Sequence, residues 1–507
     1  MSPCRPPREP YWNRFPGSRG FLQAIAEEPD DPALRLILAD WLEDQGETAR
    51  AEFIRVQVQW LQLPAWHPQR SELEQRAKQL LDHHQAEWTE GLPAIEGRWL
   101  YHGGLIEGVD LVGVRMHRAE LEQQYSLTGG EREVGLRLAD RQRAELGPLR
   151  EVVRDHIQTV FQSVHLRQLK LHHQVLWVAK GKESDLYTVS VSLEDLQAGD
   201  VLANLTALDL SDHQLGDAGV RALAQCPSLA RLTALDLSRN AIMDDGVRAL
   251  AHSPFLSNLT ALSLSNNLIE DVETDSLATS PYLPHLTALD LGQNWIGDAG
   301  AEALARSSQL SQLTALHLMR NQIGDRGCQA LAQSPYLARL TELDLSRNEI
   351  GDAGVRALTQ SPHLVQLTAL DLGSNQIGPP GAEALAQSGS LFRLHSLDLG
   401  GNEIGDAGVA ALAQSPYLVQ LTALRLGRTW ITDAGAKALA RWPYLTRLIV
   451  LDLRLNEIGD AGAEALAQSP YLGKLRSLDL VGNRIQEATA SRLSRLLSHM
   501  HCKIQRR

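Results

Sequence analysis

A chain of 507 residues is too long for one ordinary hydrophobic core, so it must divide into domains or grow lengthwise as an array of repeated layers. Aromatic residues make up only 5% while Leu, Ala and Gly recur, which suits many small similar layers and argues against a few bulky anchors. The formal charge of -13 argues against a phosphate-tracking surface, because nucleic-acid binders gather Lys and Arg on one face; a basic or neutral partner fits better.

Residues 1–20 are rich in Pro and Arg, lack the apolar stretch of a secretory signal, and are expected to form a flexible segment. No run is long enough to cross a bilayer, so no membrane association is expected and the cytoplasm is the expected location. Cys4, Cys226, Cys328 and Cys502 lie far apart without a CxxC pair, which signals neither a zinc site nor a disulfide framework. Residues 21–90 read as a helical domain. Apolar residues recur at helical spacing over 21–26, 32–44 and 48–63, with turn signals at Pro29-Asp30-Asp31 and Gly46, and 70–90 is helical as well. The stretch 91–113 mixes Gly with short apolar runs suited to strands or a loop crossing, and 116–164 is charged and helical in pattern. Together, 91–165 is expected to be a connecting, mainly helical region.

From Leu205 the chain becomes periodic. The pattern LxxLxL starts at Leu205, Leu232, Leu259, Leu286, Leu313, Leu340, Leu367, Leu394, Leu421, Leu448 and Leu475, giving eleven units of 27 residues over 205–501 without insertion or deletion. An earlier copy at Leu166, Leu169 and Leu171 precedes Leu205 by 39 residues and reads as an irregular capping repeat, 166–204, with an insertion. At the other end, Leu493, Leu496, Leu497 and Met500 keep helical spacing in a capping helix, before a tail over 502–507.

The unit 340–366, LTELDLSRNEIGDAGVRALTQSPHLVQ, shows how each segment works. Leu340, Leu343 and Leu345 alternate as in a short strand with one face in the core, leaving Glu342 and Asp344 on the solvent side. Asn348 ends the strand and satisfies backbone groups where the chain turns, so successive Asn side chains are expected to form a ladder: Asn240, Asn267, Asn294, Asn321, Asn348, Asn375, Asn402, Asn456 and Asn483. Ile350 re-enters the core, Gly351 permits a tight turn, Asp352 is the expected N-cap of the helix carrying Leu358, Pro362 marks its stop, and Leu364 turns inward. One unit buries too little to offset the entropy of ordering it, so stability must come from neighbours.

The text LTALDLSxNxIGDAGAxALA resembles the ribonuclease-inhibitor type of leucine-rich repeat. The resemblance implies an α/β solenoid, a horseshoe with parallel strands on the concave face and helices on the convex one. The segment DDPALRLILADWLEDQGETARAEFIRVQ, with Asp31, Trp41, Gly46, Arg50, Phe53 and Arg55 among its diagnostic residues, resembles the bacterial repeat-companion domain, and WLYHGGLIEGV resembles the stretch that follows it. Neither resemblance carries a biochemical role, and the first implies only a bacterial protein-binding array.

Candidate site residues come from the exposed strand positions. The place between the second and third Leu is acidic in most units: Asp209, Asp236, Asp290, Asp344, Asp371, Asp398, Asp452 and Asp479. With parallel strands about 4.8 Å apart, these carboxylates repel one another. They read either as a stripe for a basic partner or as solvated consensus. Departures from the consensus are more informative. His317, Met319 and Arg320 stand in the fifth unit, and Arg425, Arg428, Thr429 and Trp430 in the ninth, beside Arg454 and Leu455. Trp295 shares the Trp430 column. Arg and Trp are favoured interface anchors, set against drift at solvated positions. Trp41 reads as core, Asp40, Glu43 and Asp44 as a solvated helix face, and the pairs His83-His84 and His172-His173 do not converge on a metal.

No phosphate loop, nucleophile elbow, HExxH or Cys-His pair occurs, so neither catalysis nor a cofactor is expected. The leading expectation is a non-catalytic scaffold binding a protein partner, with no nucleic acid. Two alternatives stand beside it: a regulatory or sensor subunit of a bacterial signalling or defence complex, and, by resemblance, a GTPase-activator-like or ubiquitin-ligase-adaptor-like regulator.

Overall fold

The computed structural model describes residues 11–27, 31–63, 69–89, 96–102, 105–113, 116–117, 168–171, 178–179, 205–471, 473–496 and 501–503. The chain forms two compact units, one N-terminal and one holding most of the repeats.

Among the described residues the N-terminal unit carries four helices: α1 (Arg19–Glu27), α2 (Pro32–Asp44), α3 (Thr48–Gln62) and α4 (Gln69–Trp88). Helix α2 starts where Asp31 accepts the Ala33 N–H at 2.8 Å and Pro32 stands in the first turn, whose missing N–H costs nothing there. Ile25, Leu38, Leu42, Ile54 and Val58 form one apolar cluster; Tyr11, Phe53, Ala77, Leu80 and Trp88 form another. The expected flexible segment 1–20 is corrected here from Tyr11 onward. Short 3-10 turns, Tyr11–Arg14 and Pro16–Ser18, bring Tyr11 to 2% exposure, where its hydroxyl donates to Glu47 Oε2 at 2.9 Å. Burial comes first among the causes that push its phenol well above the usual range. Trp41 is half-buried against Phe15 and Phe21. Asp40 and Glu43 share the Arg55 guanidinium at 2.6 Å each, an exposed ion pair of modest worth.

The described residues of the connecting region, 96–102, 105–113 and 116–117, are β-structure, one of the two forms expected over 91–113. Strands Glu96–His102 and Leu105–Gly113 pair antiparallel, Leu105–Gly113 runs parallel to Gln168–Leu171, and that strand runs parallel to Ala207–Asp209. Met116–His117 pairs with Val178–Ala179. The expected helix over 118–165, the insertion over 180–204, His172-His173 and Cys4 lie outside the described residues.

In the repeat unit, eleven parallel strands from Ala234–Asp236 to His501–Lys503 follow one another in sequence order, alternating with helices. Register is set by the period: Glu342, Leu343 and Asp344 lie opposite Ala369, Leu370 and Asp371, each partner 27 residues on. The architecture is the expected α/β solenoid of leucine-rich repeats. His501–Lys503 adds a strand beside Ser477–Asp479, so the expected tail over 502–507 is corrected at its first two residues.

The core positions read from the unit 340–366 are buried, with Leu340, Leu343, Leu345, Ile350, Leu358 and Leu364 at 1% exposure or less, and Val355 joins them. Asn348 forms the expected ladder. Its Nδ2 donates to the carbonyls of Leu318 in the preceding unit and of Leu345 and Ser346 in its own, while its Oδ1 accepts the Ile323 N–H at 3.1 Å. Asp352 is not the N-cap of its own helix; Gly351 occupies that position, and Asp352 Oδ1 accepts the N–H groups of Gly378 and Gly381 in the next unit at 2.8 and 2.9 Å. A cap made between units couples the start of each helix to the one before it. The close approach explains the second glycine of the motif: a Cβ on Gly354 would lie 2.7 Å from Asp325 Oδ1 and 2.8 Å from Ile350 Cγ2.

Candidate functional site

The exposed strand column is built as much for the backbone as for a partner. Asp371 and Asp398 each accept, through Oδ1, the N–H of the residue two positions on, Gly373 and Gly400, at 2.8 Å; Asp344 does the same for Ser346 at 2.9 Å. The expectation of fully solvated consensus carboxylates is corrected accordingly: one oxygen of each is committed to closing the turn after the strand. The repulsion across the column is present. Asp371 is pushed up to about 7, first by burial and then by Asp398 and Asp344, and burial also raises Asp398.

His317 takes the column's place in the fifth unit, opposite Asp290 on one side and Asp344 on the other. Its Nε2 lies 3.3 Å from Glu342 Oε1, an interaction that raises the imidazole against the opposing effect of burial and lowers Glu342. Met319 is half-buried nearby, and its carbonyl accepts the Gln293 N–H. Arg425 takes the column in the ninth unit, between Asp398 and Asp452. Its Nε lies 3.9 Å from Asp398 Oδ2, and Arg454 Nε lies 3.1 Å from Asp452 Oδ2. Arg425 is thus a single basic break in a column that is acidic at Asp344, Asp371 and Asp398 before it and at Asp452 and Asp479 after it, with Arg454 beside it in the following turn.

Arg320, Arg428 and Leu455 share a turn position with a left-handed backbone in all eleven units, from Asp212 (φ 60°) to Gly482 (φ 76°). There the N–H reaches a carbonyl of the following unit, as Arg428 does to Arg454 at 2.9 Å, and the side chain is left outside. Arg428 is exposed and Leu455 is 51% exposed. Arg428 and Arg320 make no ion pair among the described residues. Trp430 is 64% exposed and Trp295 56%. Although they share a column, their backbones differ: Trp430 has φ 62°, while Trp295 has no positive φ and donates its N–H to the Ile269 carbonyl.

The ninth unit departs from the array at more places than its motif suggested. Thr429 replaces the ladder Asn and is fully buried; its hydroxyl donates to the Leu426 carbonyl of its own unit, so the rung to the eighth unit is missing. Thr432 replaces the capping glycine and donates its hydroxyl to Asp406 Oδ2 at 2.6 Å. Trp442 stands where other units carry a Ser, such as Ser415, whose hydroxyl donates to the preceding helix at the Ala386 carbonyl. Trp442 is 2% exposed, and its indole N–H meets no acceptor among the described residues. Aligning the units column by column on the sequence is the signal that finds Thr432 and Trp442.

Among the described residues no group of His, Cys, Asp and Glu is placed to hold a metal, and His84 stacks on Trp88. No helix among them is long and apolar enough to cross a membrane.

Nine segments match the leucine-rich-repeat family model: 201–224, 231–251, 282–305, 310–332, 339–358, 365–386, 393–413, 420–440 and 445–467. No curated protein sequence matches the chain. Among solved structures it is similar to an internalin, InlF, of Listeria monocytogenes, at 23% identity over 64% of this chain and 92% of that one, with a TM-score of 0.39. It is also similar to a leucine-rich-repeat protein of Leptospira interrogans, at 19% identity over 69% and 92%, TM-score 0.39. A chain of the yeast Rad7 and Elc1 complex matches at 17% identity over 68% and 85%, TM-score 0.45.

Proposed function

We propose that this chain of leucine-rich repeats is a non-catalytic scaffold whose exposed strand face and adjoining turns bind a protein partner, with Arg425, Arg428, Trp430, Arg454 and Leu455 as the anchor. The observation that carries the reading is the coincidence, on adjoining units, of an exposed Trp, an exposed Leu and an unpaired Arg with breaks in the structural columns. Repetition explains what recurs; the ninth unit gives up backbone-satisfying residues where the bulky groups appear. Trp and Arg at a desolvated centre are the usual carriers of interface affinity.

The basic break at Arg425, with Arg428 and Arg454 beside it in an otherwise acidic stretch, sets the partner's chemistry. A basic segment fits over Asp344, Asp371 and Asp398, and an acidic group with an apolar neighbour fits at Arg428, Trp430 and Leu455. Trp295, His317, Met319 and Arg320 form a second, smaller contact area on the same array. The 27-residue period and its alternation of short strands with helices support assignment to the ribonuclease-inhibitor type, and α1 to α4 support the repeat-companion reading of 21–90. A bacterial, cytoplasmic protein is the setting in which that pairing of modules fits.

The test is affinity purification with the natural chain and with Arg425→Ala/Arg428→Ala/Trp430→Ala. A partner recovered by the first and lost by the second is expected. Equal recovery moves the binding site off the ninth unit, and accelerated turnover of a purified GTPase by the chain overturns the scaffold reading in favour of a regulator.

A further inference from the structure

The left-handed backbone at Trp430 has its cause two units upstream. Along most of the array, the first Asp of each helix accepts N–H groups at the start of the next helix: Asp298 from Gly324 and Gly327, Asp325 from Gly351 and Gly354, Asp352 from Gly378 and Gly381. In the seventh unit Pro379 stands at that place and brings no acceptor. Gly405, the residue that would be capped by it, adopts φ 60° and sends its N–H forward to the Thr429 carbonyl at 2.9 Å.

For that carbonyl to face Gly405, the peptide joining Thr429 to Trp430 is reversed. In the third to eighth, tenth and eleventh units the residue in the Trp430 column donates its N–H to the Ile carbonyl of the preceding unit, as Glu403 does to Ile377 and Glu457 to Ile431 at 2.9 and 2.8 Å. Trp430 makes no such bond to Ile404, and its φ of 62° is the other face of the same reversal. Two further places separate the cause from its accompaniments. Gly216 in the first unit has φ 53° and donates forward to the Asn240 carbonyl at 2.9 Å, and Ala241 has φ 53°. Asn240 keeps the ladder residue there, so the substitution to Thr429 is not what reverses the peptide. In the third unit, the Glu270 N–H takes Glu273 Oε2 at 2.9 Å instead of an upstream Asp, and Trp295 keeps the ordinary bond to Ile269. The reversal follows the loss of a carboxylate for that one N–H.

We infer that Pro379 is a positioning residue for the ninth unit: by withholding the carboxylate from Gly405, it reverses the Thr429 to Trp430 peptide and sets the left-handed backbone from which the Trp430 indole projects. That this matters for binding rests on the anchor proposed above; the backbone claim does not.

The test compares crystal structures and the Trp430 indole ¹⁵N resonance of full-length Pro379→Asp, Pro379→Asn and Pro379→Ala with the natural chain, the resonance being assigned by Trp430→Phe. The two variants that restore an acceptor should return Gly405 to φ near the -99° and -100° of Gly378 and Gly351, place the Trp430 N–H on the Ile404 carbonyl and shift the indole signal. Pro379→Ala should leave all three unchanged. As the converse, Asp298→Ala should send the Gly324 N–H forward to the Asn348 carbonyl and turn Glu349 to positive φ. Gly405 remaining left-handed beside a restored carboxylate, or Pro379→Ala alone undoing the reversal, overturns the inference. Partner loss in Trp430→Ala is read separately, so the anchor and the backbone claim can fail independently.

Discussion

Asp371 shows how one carboxylate serves fold and surface together. Its Oδ1 holds the Gly373 N–H, while burial and the neighbouring Asp398 and Asp344 push it up to about 7. Because the folded value lies above the unfolded one near 4, the folded chain holds the proton more tightly. Its contribution to stability is complete below about pH 4 and is lost as pH rises through about 7. Asp371→Asn keeps the Oδ1 acceptor and removes the charge, so it should match the natural chain at pH 4 and exceed it by on the order of 2 kcal/mol at pH 8, by denaturant melts at both pH values. A variant that gains no more over the natural chain at pH 8 than at pH 4 would mean the column is better solvated than its geometry indicates. His317 has the same sign of pH dependence on the same face: its bond to Glu342 raises the imidazole, so its contribution too is lost as pH rises.

At the scale of elements, helices of eight or nine residues such as Asp352–Thr359 are too short to stand alone, and the array supplies their missing partners from adjoining units. In most units Asp caps the next helix start, Ser satisfies the helix end before it, and Asn bridges the turns. Asn348→Ala strands the Ile323 N–H and removes one of two amide bonds to each of the Leu318 and Leu345 carbonyls, which keep those from Asn321 and Asn375, and should cost on the order of 3 kcal/mol. Ser361→Ala removes the bond to the Ala332 carbonyl and the acceptor shared by the His363 and Leu364 N–H groups, and should cost roughly 2 kcal/mol. Thermal melts of the two variants test the ranking; an equal loss would show that the ladder is redundant. Hydrogen exchange adds a local check, with Ile404, which lacks the rung that Ile377 makes to Asn402, expected to exchange faster than Ile377.

Over the whole repeat unit, stability is carried by columns that run from one 27-residue layer to the next. Deleting 340–366 rejoins every column in register, so the shortened chain should keep its helix and strand content and a cooperative melt. Deleting only 340–352 breaks the register, and circular dichroism should show loss of structure at the joint. A half-unit deletion as well folded as the whole-unit deletion would contradict a shared, layered core.

The sequence by itself determined the solenoid, the Leu core, the Asn ladder and the helices α2 to α4, because each depends on spacing along the chain and on residue chemistry. It also marked Arg425, Arg428 and Trp430 as departures from a repeated pattern. What only the tertiary structure decided is who bonds to whom across units: Asp352 capping the next helix instead of its own, Ser361 closing the helix before it, and Pro379 acting on Trp430 through Gly405. Those bonds join atoms brought together by stacking, 26 to 29 residues apart in most cases, so no local window of sequence contains both partners.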